Sequence, residues 1–177
     1  IDDGWEAPER TKGGEILSND KFPDFKALTD YIHGLGLKFG IYSSPGATTC
    51  GGHVGSYQHE EIDARTWERW GVDYLKYDYC GYLDIEKDSK EETIQEPYIV
   101  MRNALDKVKR DIVFCVGYGA PNVWNWAAEA GGNQWRTTRD ITDEWNVVTA
   151  IGTFQDVCAD ATAPGRNNDP DMLVVGK

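Results

Sequence analysis

Two spacings of apolar residues alternate along the chain, and together they predict helices separated by short strands. Apolar residues recur every three or four positions, as on one face of a helix, in residues 22–33, 60–70, 96–109, 122–130 and 144–154. Compact apolar runs typical of buried strands occupy residues 37–43, 72–78, 111–116, 134–138 and 171–175. Gly34 and Gly71 close the first two helices. The acidic stretch 83–96 and the Ala-, Gly- and Asp-rich stretch 153–168 are predicted loops.

This alternation of strands and helices predicts βαβ units, and therefore a parallel sheet in an α/β fold. Functional side chains of such sheets lie at the C-terminal ends of the strands. Acids, cationic side chains and aromatic residues recur at those ends, in residues 2–3, 42–44, 76–78, 117–118 and 136–140. We therefore expect a polar site at one edge of the sheet.

The composition is that of an acidic globular chain. Its 177 residues include 18 basic and 30 acidic side chains, which gives a formal charge of −12, and 40% of the residues are hydrophobic. This length predicts a single domain, residues 1–177, with a sizeable core. The negative charge argues against nucleic acid as a partner, because phosphate binding needs clustered Lys and Arg.

Two further features bear on location. No apolar run approaches the roughly 20 residues of a membrane-spanning helix, so we expect no membrane insertion. The sequence shows no signal peptide, and both of its ends stop in strand-like runs. From this we expect a domain trimmed at both ends.

The run 72–80 is predicted to be a buried strand, and Lys76 and Asp78 lie near its C-terminal end. Residues two apart in a strand point to the same face, so the ammonium and the carboxylate are expected to lie together. A neighbouring positive charge keeps a carboxylate ionised, which suits a nucleophile or an electrostatic stabiliser. The alternative is a purely structural Lys–Asp pair.

Asp140 is a second isolated acid near a strand end, and it follows Arg136 and Arg139. Two carboxylates that flank a scissile bond are the working unit of glycoside hydrolysis, so Asp140 is a candidate partner for Asp78. The alternative is that Asp140 caps the helix that follows it.

The sequence contains no metal or cofactor pattern. The acids in 2–3 and 168–171 are suited to hydrogen bonds with sugar hydroxyls, and their spacing does not match a calcium loop. The three histidines show no zinc spacing, and there is no glycine-rich phosphate loop. We therefore expect no metal and no cofactor.

The four cysteines leave two possibilities for one pair. Cys50 and Cys80 follow consecutive strands and are predicted neighbours, either bridged or as free thiols. A disulfide around this loop would stabilise the fold by roughly 3–4 kcal/mol in the chain-entropy treatment. The sequence offers no pairing for Cys115 and Cys158.

Five segments, in this order, resemble one family: the retaining α-galactosidases and α-N-acetylgalactosaminidases of glycoside hydrolase family 27. They lie in residues 1–5, 40–50, 70–80, 135–141 and 168–173. The ordered set is specific, although each segment alone is weak. The resemblance implies a (β/α)8 TIM barrel, of which this chain would carry about strands two to seven, without the family's C-terminal β-domain.

The resemblance also implies a role for each matched residue. Asp78 would be the nucleophile and Asp140 the general acid/base. The side chains that bind or line the sugar site would be Asp2, Asp3, Trp5, Tyr42, Cys50, Lys76, Gly117, Tyr118, Arg136 and Asp171. Cys50 and Cys80 would form a disulfide, which indicates an extracellular, periplasmic or lysosome-like oxidising compartment.

One departure from the family pattern bears on the substrate. Many members carry Cys-Glu-Trp after the fifth strand, with the Glu on the sugar's 2-hydroxyl, whereas residues 115–119 here read Cys-Val-Gly-Tyr-Gly. A small residue at Gly117 or Val116 leaves room for a 2-acetamido group. If Tyr118 fills that space, galactose remains the substrate. Arg139 and Asn167 also depart, at positions that bear on the leaving group.

The sequence thus predicts a retaining glycoside hydrolase that cleaves terminal α-galactosides, with a carbohydrate as its partner. Two alternatives stay open: an α-N-acetylgalactosaminidase of the same family, and a non-catalytic galactoside-binding barrel fragment. If configuration is retained, the carboxyls of Asp78 and Asp140 are expected about 5–5.5 Å apart.

Overall fold

Five parallel strands form the centre of the fold. The computed structural model describes residues 1–87, 90–119 and 121–171. Its strands are β1 (Gly40–Ser43), β2 (Tyr74–Tyr77), β3 (Val113–Val116), β4 (Gln134–Arg136) and β5 (Asn167–Asp169). They pair in the order β1-β2-β3-β4-β5, and every neighbouring pair is parallel. Sequential parallel order is the arrangement of a (β/α)8 barrel, and the predicted α/β fold is confirmed as a partial barrel.

In the described part of the chain, one α-helix precedes these strands and three α-helices connect them. They are α1 (Phe25–Gly34), α2 (Glu60–Trp70), α3 (Glu91–Leu105) and α4 (Trp145–Phe154). Asp24 caps α1 by accepting a hydrogen bond from the Ala27 N–H over 2.9 Å. Gly71 ends α2 in the left-handed conformation, with φ of 84°, as the sequence predicts.

The sheet has two different faces because its paired residues point to the same side. Leu75 on β2 pairs with Ile41 and Phe114, and all three are fully buried among the helices. Lys76 lies on the opposite face, level with Tyr42 on β1. The sheet therefore packs its helix side with apolar residues and turns polar residues to its other side.

Aromatic side chains fill the core beside α1 and α2. Trp5 is fully buried and meets Phe25 and Trp70 edge-on, at ring-centroid distances of 5.1 and 5.7 Å. Burying a side chain of this size stabilises the fold by about 1.5–3 kcal/mol. These contacts fix the loop after Trp5 against the helices.

Asp73 joins the start of β2 to its neighbours. Its carboxylate, which is 9% exposed, accepts hydrogen bonds from the Phe39 N–H (2.9 Å), His33 Nε2 (2.7 Å) and Arg110 Nη2 (2.6 Å). Burial by itself raises the pKa of Asp73, but these donors outweigh it and lower the pKa to about 2. The ionised carboxylate is therefore part of the folded structure.

Three predicted elements differ in the structure. Helix α3 starts at Glu91, inside the predicted loop, because acids are favourable in the first turn of a helix. In place of the predicted helix 122–130 there is a short 3-10 helix, Val123–Asn125, after Asn122 in a left-handed conformation. The predicted loop 153–168 holds a 3-10 helix, Gln155–Ala161, and the start of β5. Apart from Asp171, the predicted strand 171–175 lies outside the described residues.

Candidate active site

A cleft of about 400 Å³ lies at the C-terminal ends of the strands. Its lining residues are Cys50, Asp78, Cys80, Gly117, Tyr118, Gly119, Arg136, Arg139 and Asp140. Six of the twelve residues predicted to be catalytic or to bind or line the sugar site meet here, including both catalytic candidates. The parallel strands thus bring together residues up to 90 positions apart, as their order predicts.

Asp78 directly follows β2, and its backbone extends the sheet by one hydrogen bond from its N–H to Ser43 O (3.0 Å). Both side-chain oxygens are held. Oδ2 accepts from the Tyr42 hydroxyl (3.0 Å) and Oδ1 from the Tyr79 N–H (2.9 Å). The Tyr98 hydroxyl donates to the Asp78 carbonyl (3.1 Å). The carboxylate is therefore fixed in one orientation by neutral donors.

The predicted pairing of Lys76 with Asp78 is wrong. No ion pair joins these two side chains, both of which lie in the part of the chain that the structure describes. Lys76 Nζ donates to Asp2 Oδ2 over 3.0 Å and lies 5.4 Å from the centre of the Tyr42 ring. Asp78 stands beyond the last residue of β2, where the alternation of the strand no longer dictates its direction. Partial burial opposes ionisation of Asp2, but Lys76 and the Asp3 N–H lower its pKa.

Asp140 is not the cap of the following helix, because α4 begins at Trp145 after Glu144. Its side chain is 86% exposed, and Oδ1 accepts a hydrogen bond from Arg136 Nη2 over 2.5 Å. Arg136 Nη1 also lies 3.8 Å from Asp171 Oδ1. Arg136 therefore stands between these two carboxylates.

Asp171 is buried and accepts a hydrogen bond from the Ile141 N–H over 2.7 Å. This bond holds the segment that carries Asp140 against the end of β5. Asp171 does not line the cleft itself, so in this structure it supports Arg136 and the 140–141 segment.

Two further predicted sugar ligands, Asp3 and Trp5, are not among the residues that line the cleft. Asp3 Oδ2 accepts from the Gly51 N–H over 2.7 Å. The Trp5 side chain is in the core rather than at the cleft, and its Nε1 donates to the Tyr42 carbonyl over 2.8 Å. Trp5 therefore holds the Tyr42 backbone in place. Burial, followed by the nearby Asp78 charge, raises the pKa of the Tyr42 hydroxyl above its usual range.

A disulfide joins Cys50 and Cys80, whose Cα atoms are 5.0 Å apart. The ligand atoms of Cys50, Asp78 and Cys80 lie within 4.8 Å of one another, which is the one such grouping of potential metal ligands within residues 1–87, 90–119 and 121–171. Bridged sulfurs are not thiolate ligands, so this group does not form a metal site. The disulfide instead borders the carboxylate of Asp78.

Comparison with known proteins identifies relatives of this chain. Residues 1–177 match the family described as alpha galactosidase A. An alpha-galactosidase of Cyamopsis tetragonoloba is 44% identical across 99% of this chain, and the match covers 42% of that protein. The chain belongs to the alpha galactosidase A family. It spans about two fifths of the length of this curated relative.

Solved structures of the alpha galactosidase A family share the fold. Alpha-galactosidase I of Mortierella vinacea superposes with a TM-score of 0.91 at 35% identity, over 99% of this chain and 49% of the other. An alpha-galactosidase of Saccharomyces cerevisiae, solved with raffinose, gives 0.84 at 26% identity, over 99% and 43%. These matches confirm the glycoside hydrolase family 27 resemblance and the barrel.

Gly117 has a packing role that its sequence context does not reveal. A Cβ atom built there lies 2.8 Å from the Tyr77 carbonyl oxygen and 3.0 Å from the Asp78 Cα. The missing side chain therefore lets the chain after β3 approach the end of β2, at a residue that also lines the cleft. Val116 is fully buried, and Tyr118 borders the cleft with its ring edge-on to Tyr79 at 4.9 Å.

Gly119 and Arg139 also line the cleft and were not among the predicted ligands. Gly119 has φ of 60°, and a Cβ there would lie 2.9 Å from Arg136 Nε. A glycine three residues past a strand end was the available signal for Gly119, and a second arginine beside Asp140 was the signal for Arg139. No helix among the described residues is long and apolar enough to cross a bilayer.

Proposed function

We propose that the protein is a retaining α-galactosidase, with Asp78 as the nucleophile and Asp140 as the general acid/base. The observation that carries this proposal is that both carboxylates line one cleft, with Asp78 held by Tyr42 and the Tyr79 N–H. Membership in the alpha galactosidase A family supports it.

The reaction proceeds in two displacements. Asp78 attacks the anomeric carbon and forms a glycosyl ester, while the bond to the leaving oxygen breaks and that oxygen takes a proton from Asp140. Water then attacks the same carbon, gives its proton to Asp140 and releases Asp78. Asp78 must present one oxygen in a fixed direction, which its two hydrogen bonds supply. The high exposure of Asp140 suits a group that serves both a leaving alcohol and water.

In this proposal the sugar hydroxyls bind to charged and polar side chains that line the cleft or adjoin Tyr42, whose hydroxyl bonds to Asp78. Asp2 and Lys76 form a mutually oriented pair, and Arg136 is held between Asp140 and Asp171. Charged groups give hydroxyl recognition both strength and direction. Asp3 and Tyr42 complete the hydroxyl contacts, while Cys50, Gly117 and Tyr118 shape the surface.

We favour galactose as the sugar because the close packing at Gly117 counts against a pocket for an acetamido group. A Cβ atom at Gly117 would meet the backbone of Tyr77 and Asp78, and Tyr118 borders the cleft. Substrates are terminal α-galactosides such as raffinose, the ligand of the Saccharomyces cerevisiae structure. The net charge of −12 suits a neutral carbohydrate better than an anionic ligand.

We also propose that residues 1–177 belong to one catalytic barrel domain that works in an oxidising compartment. The Cys50–Cys80 bridge beside the nucleophile supports an extracellular, periplasmic or lysosome-like location.

The test is covalent trapping in the full-length protein with a 2-deoxy-2-fluoro-galactosyl donor. The fluorosugar is expected on Asp78, seen as a mass increase in the peptide that contains residues 74–80. Turnover of a nitrophenyl α-galactoside without label on Asp78 would refute the assignment. A faster reaction with the matched N-acetylgalactosaminide would instead favour the acetamido sugar, and sugar binding without turnover would favour a binding protein.

A further inference from the structure

A second cavity, of about 440 Å³, lies between the segment that precedes α1 and the loop that follows β1. Its polar lining includes Glu6, Asn19 and His53, and its apolar lining includes Pro8, Ala47 and Val54. The volume is in the range of small-molecule sites, as is the mixture of apolar walls with a few polar groups. None of these residues lines the active-site cleft.

Glu6 is the unusual member of the lining. Its side chain is 2% exposed, Oε2 accepts the Gly4 N–H over 3.1 Å, and Oε1 is buried without a hydrogen-bond partner among the described residues. An unpaired buried carboxyl oxygen is costly, so a donor brought by a ligand would be favourable there. Burial raises the pKa of Glu6 to about 7, so near neutral pH the carboxyl can donate or accept a hydrogen bond.

Two hairpin-like loops preform the walls of this cavity. One contains the bridge between Glu6 and Ser18, and its Asn19 side chain donates to the Gly4 carbonyl over 2.8 Å. The other contains the bridge between Thr48 and Val54. Walls held by backbone hydrogen bonds need little reorganisation when a ligand enters, which favours binding.

The lining chemistry distinguishes between classes of ligand. A single carboxyl with an imidazole does not supply the six to eight oxygens of a calcium site, and a carboxyl disfavours anions. Hydroxyl groups match Glu6, which can serve as donor or acceptor, and the C–H face of a sugar ring matches Pro8 and Val54. A neutral sugar unit therefore fits the lining best.

One short loop contributes residues to both the cavity and the cleft. Cys50 lines the cleft, the Gly51 N–H bonds to Asp3, and His53 lines the cavity. On the cavity side, Gly4, which follows Asp3, bonds to Glu6. A ligand in the cavity would thus contact the loop that carries Cys50 and the segment that carries Asp3, two residues of the proposed sugar site.

We propose that this cavity is a second saccharide-binding site, in which Glu6 bonds a hydroxyl of a neutral sugar unit. The inference rests on the proposed function, because a galactoside with further sugar units supplies such a ligand. The sugar unit is either the distal part of a substrate molecule held in the cleft or a separate saccharide.

Binding titrations on the full-length protein test this, with Asp78→Asn to stop turnover and with galactose, raffinose and sucrose as probes. Glu6→Ala removes the proposed ligand, and Ala47→Trp places a large side chain at an exposed position of the lining, to fill the cavity while Glu6 is kept. Glu6→Gln keeps the shape of the side chain, and exposed Glu9→Ala is the matched control. Melting curves confirm that each variant is folded.

We expect Glu6→Ala and Ala47→Trp to weaken raffinose binding roughly tenfold, the loss of about one good hydrogen bond, with galactose binding unchanged. If both variants also lose affinity for sucrose, the ligand of the cavity is a separate saccharide. If they lose affinity for raffinose alone, the ligand is the distal part of a substrate molecule held in the cleft. Unchanged raffinose and sucrose binding in both variants, or ordered water alone in the cavity of a raffinose-soaked crystal, would overturn the inference.

The proposed function is checked separately by wild-type turnover and trapping at Asp78. If the wild type turns over substrate but the variants bind raffinose and sucrose as the wild type does, only the proposal of a second site is contradicted. Absence of both turnover and trapping would contradict the proposed function, and this inference with it. Hydrolysis of a nitrophenyl α-galactoside, which has no second sugar, is expected to be unaffected by Ala47→Trp.

Discussion

The Tyr42 hydroxyl donates a 3.0 Å hydrogen bond to Asp78 Oδ2. The same tyrosine is anchored from behind by Trp5, whose indole N–H bonds to its backbone carbonyl. A core residue thus reaches the proposed nucleophile through a single intermediate side chain. This connection explains how a carboxylate at the end of a four-residue strand keeps one orientation.

Tyr42→Phe is expected to lower kcat/KM for a nitrophenyl α-galactoside about 10- to 100-fold, because a hydrogen bond to a charged group contributes about 1.5–3 kcal/mol. Exposed Tyr31→Phe is the control and should leave kcat/KM unchanged. Equal activity of the two variants would show that Tyr42 does not position Asp78.

Asp140→Asn is expected to reduce kcat about 10²- to 10⁴-fold for raffinose, whose leaving alcohol needs protonation. The loss should be smaller for a nitrophenyl leaving group, which departs without a proton. Asp143→Asn changes an exposed acid three residues away and serves as the control. The same loss for both substrates would argue against Asp140 as the general acid.

Gly117→Ala is expected to destabilise the full-length protein by about 1–3 kcal/mol, since the added methyl group would press on the backbone of Tyr77 and Asp78. Gly34→Ala is the control, because a Cβ there meets nothing within 4 Å. Urea unfolding of both variants provides the comparison. An unchanged free energy of unfolding for Gly117→Ala would mean that the strands separate easily at this point.

Asp73→Asn is expected to cost about 2 kcal/mol of unfolding free energy at pH 7, as follows from a pKa of about 2 in the folded chain. The pKa is depressed, so this stabilisation is fully present above the unfolded value of about 3.9 and is lost as the pH falls towards 2. The difference between wild type and Asp73→Asn should therefore shrink below about pH 4. The exposed variant Asp20→Asn is the control and should leave the free energy of unfolding unchanged at pH 7. A difference between wild type and Asp73→Asn that stays constant with pH would contradict the account.

The sequence was sufficient for elements whose apolar spacing is regular. Helices α1 and α2 and strands β1 to β4 lie inside or close to the predicted ranges because each buries an apolar face. Strand β5 was missed because its residues, Asn-Asn-Asp, are polar and become a strand only by pairing with β4. Pairing of this kind is decided by tertiary contacts and leaves no local pattern.

The site was predictable in its location and less so in its contacts. Strand order alone brings Asp78 and Asp140 to one edge of the sheet, so their shared cleft could be expected. The partner of Lys76 could not be predicted, because Asp2 lies 74 positions away in the sequence and outside the strands. The core position of Trp5 was also hidden, since a tryptophan beside two acids resembles a sugar-stacking residue.

The contacts of the two proposed catalytic acids come from separate stretches of the chain. Asp78 is held by residues that lie between Tyr42 and Tyr98, and Asp140 by residues that lie between Arg136 and Asp171. A gene crossover in the segment between β3 and β4 would therefore exchange one acid with its own supporting contacts and leave the other intact. Chimeras of family members joined at that segment could pair the nucleophile half of one enzyme with the leaving-group half of another.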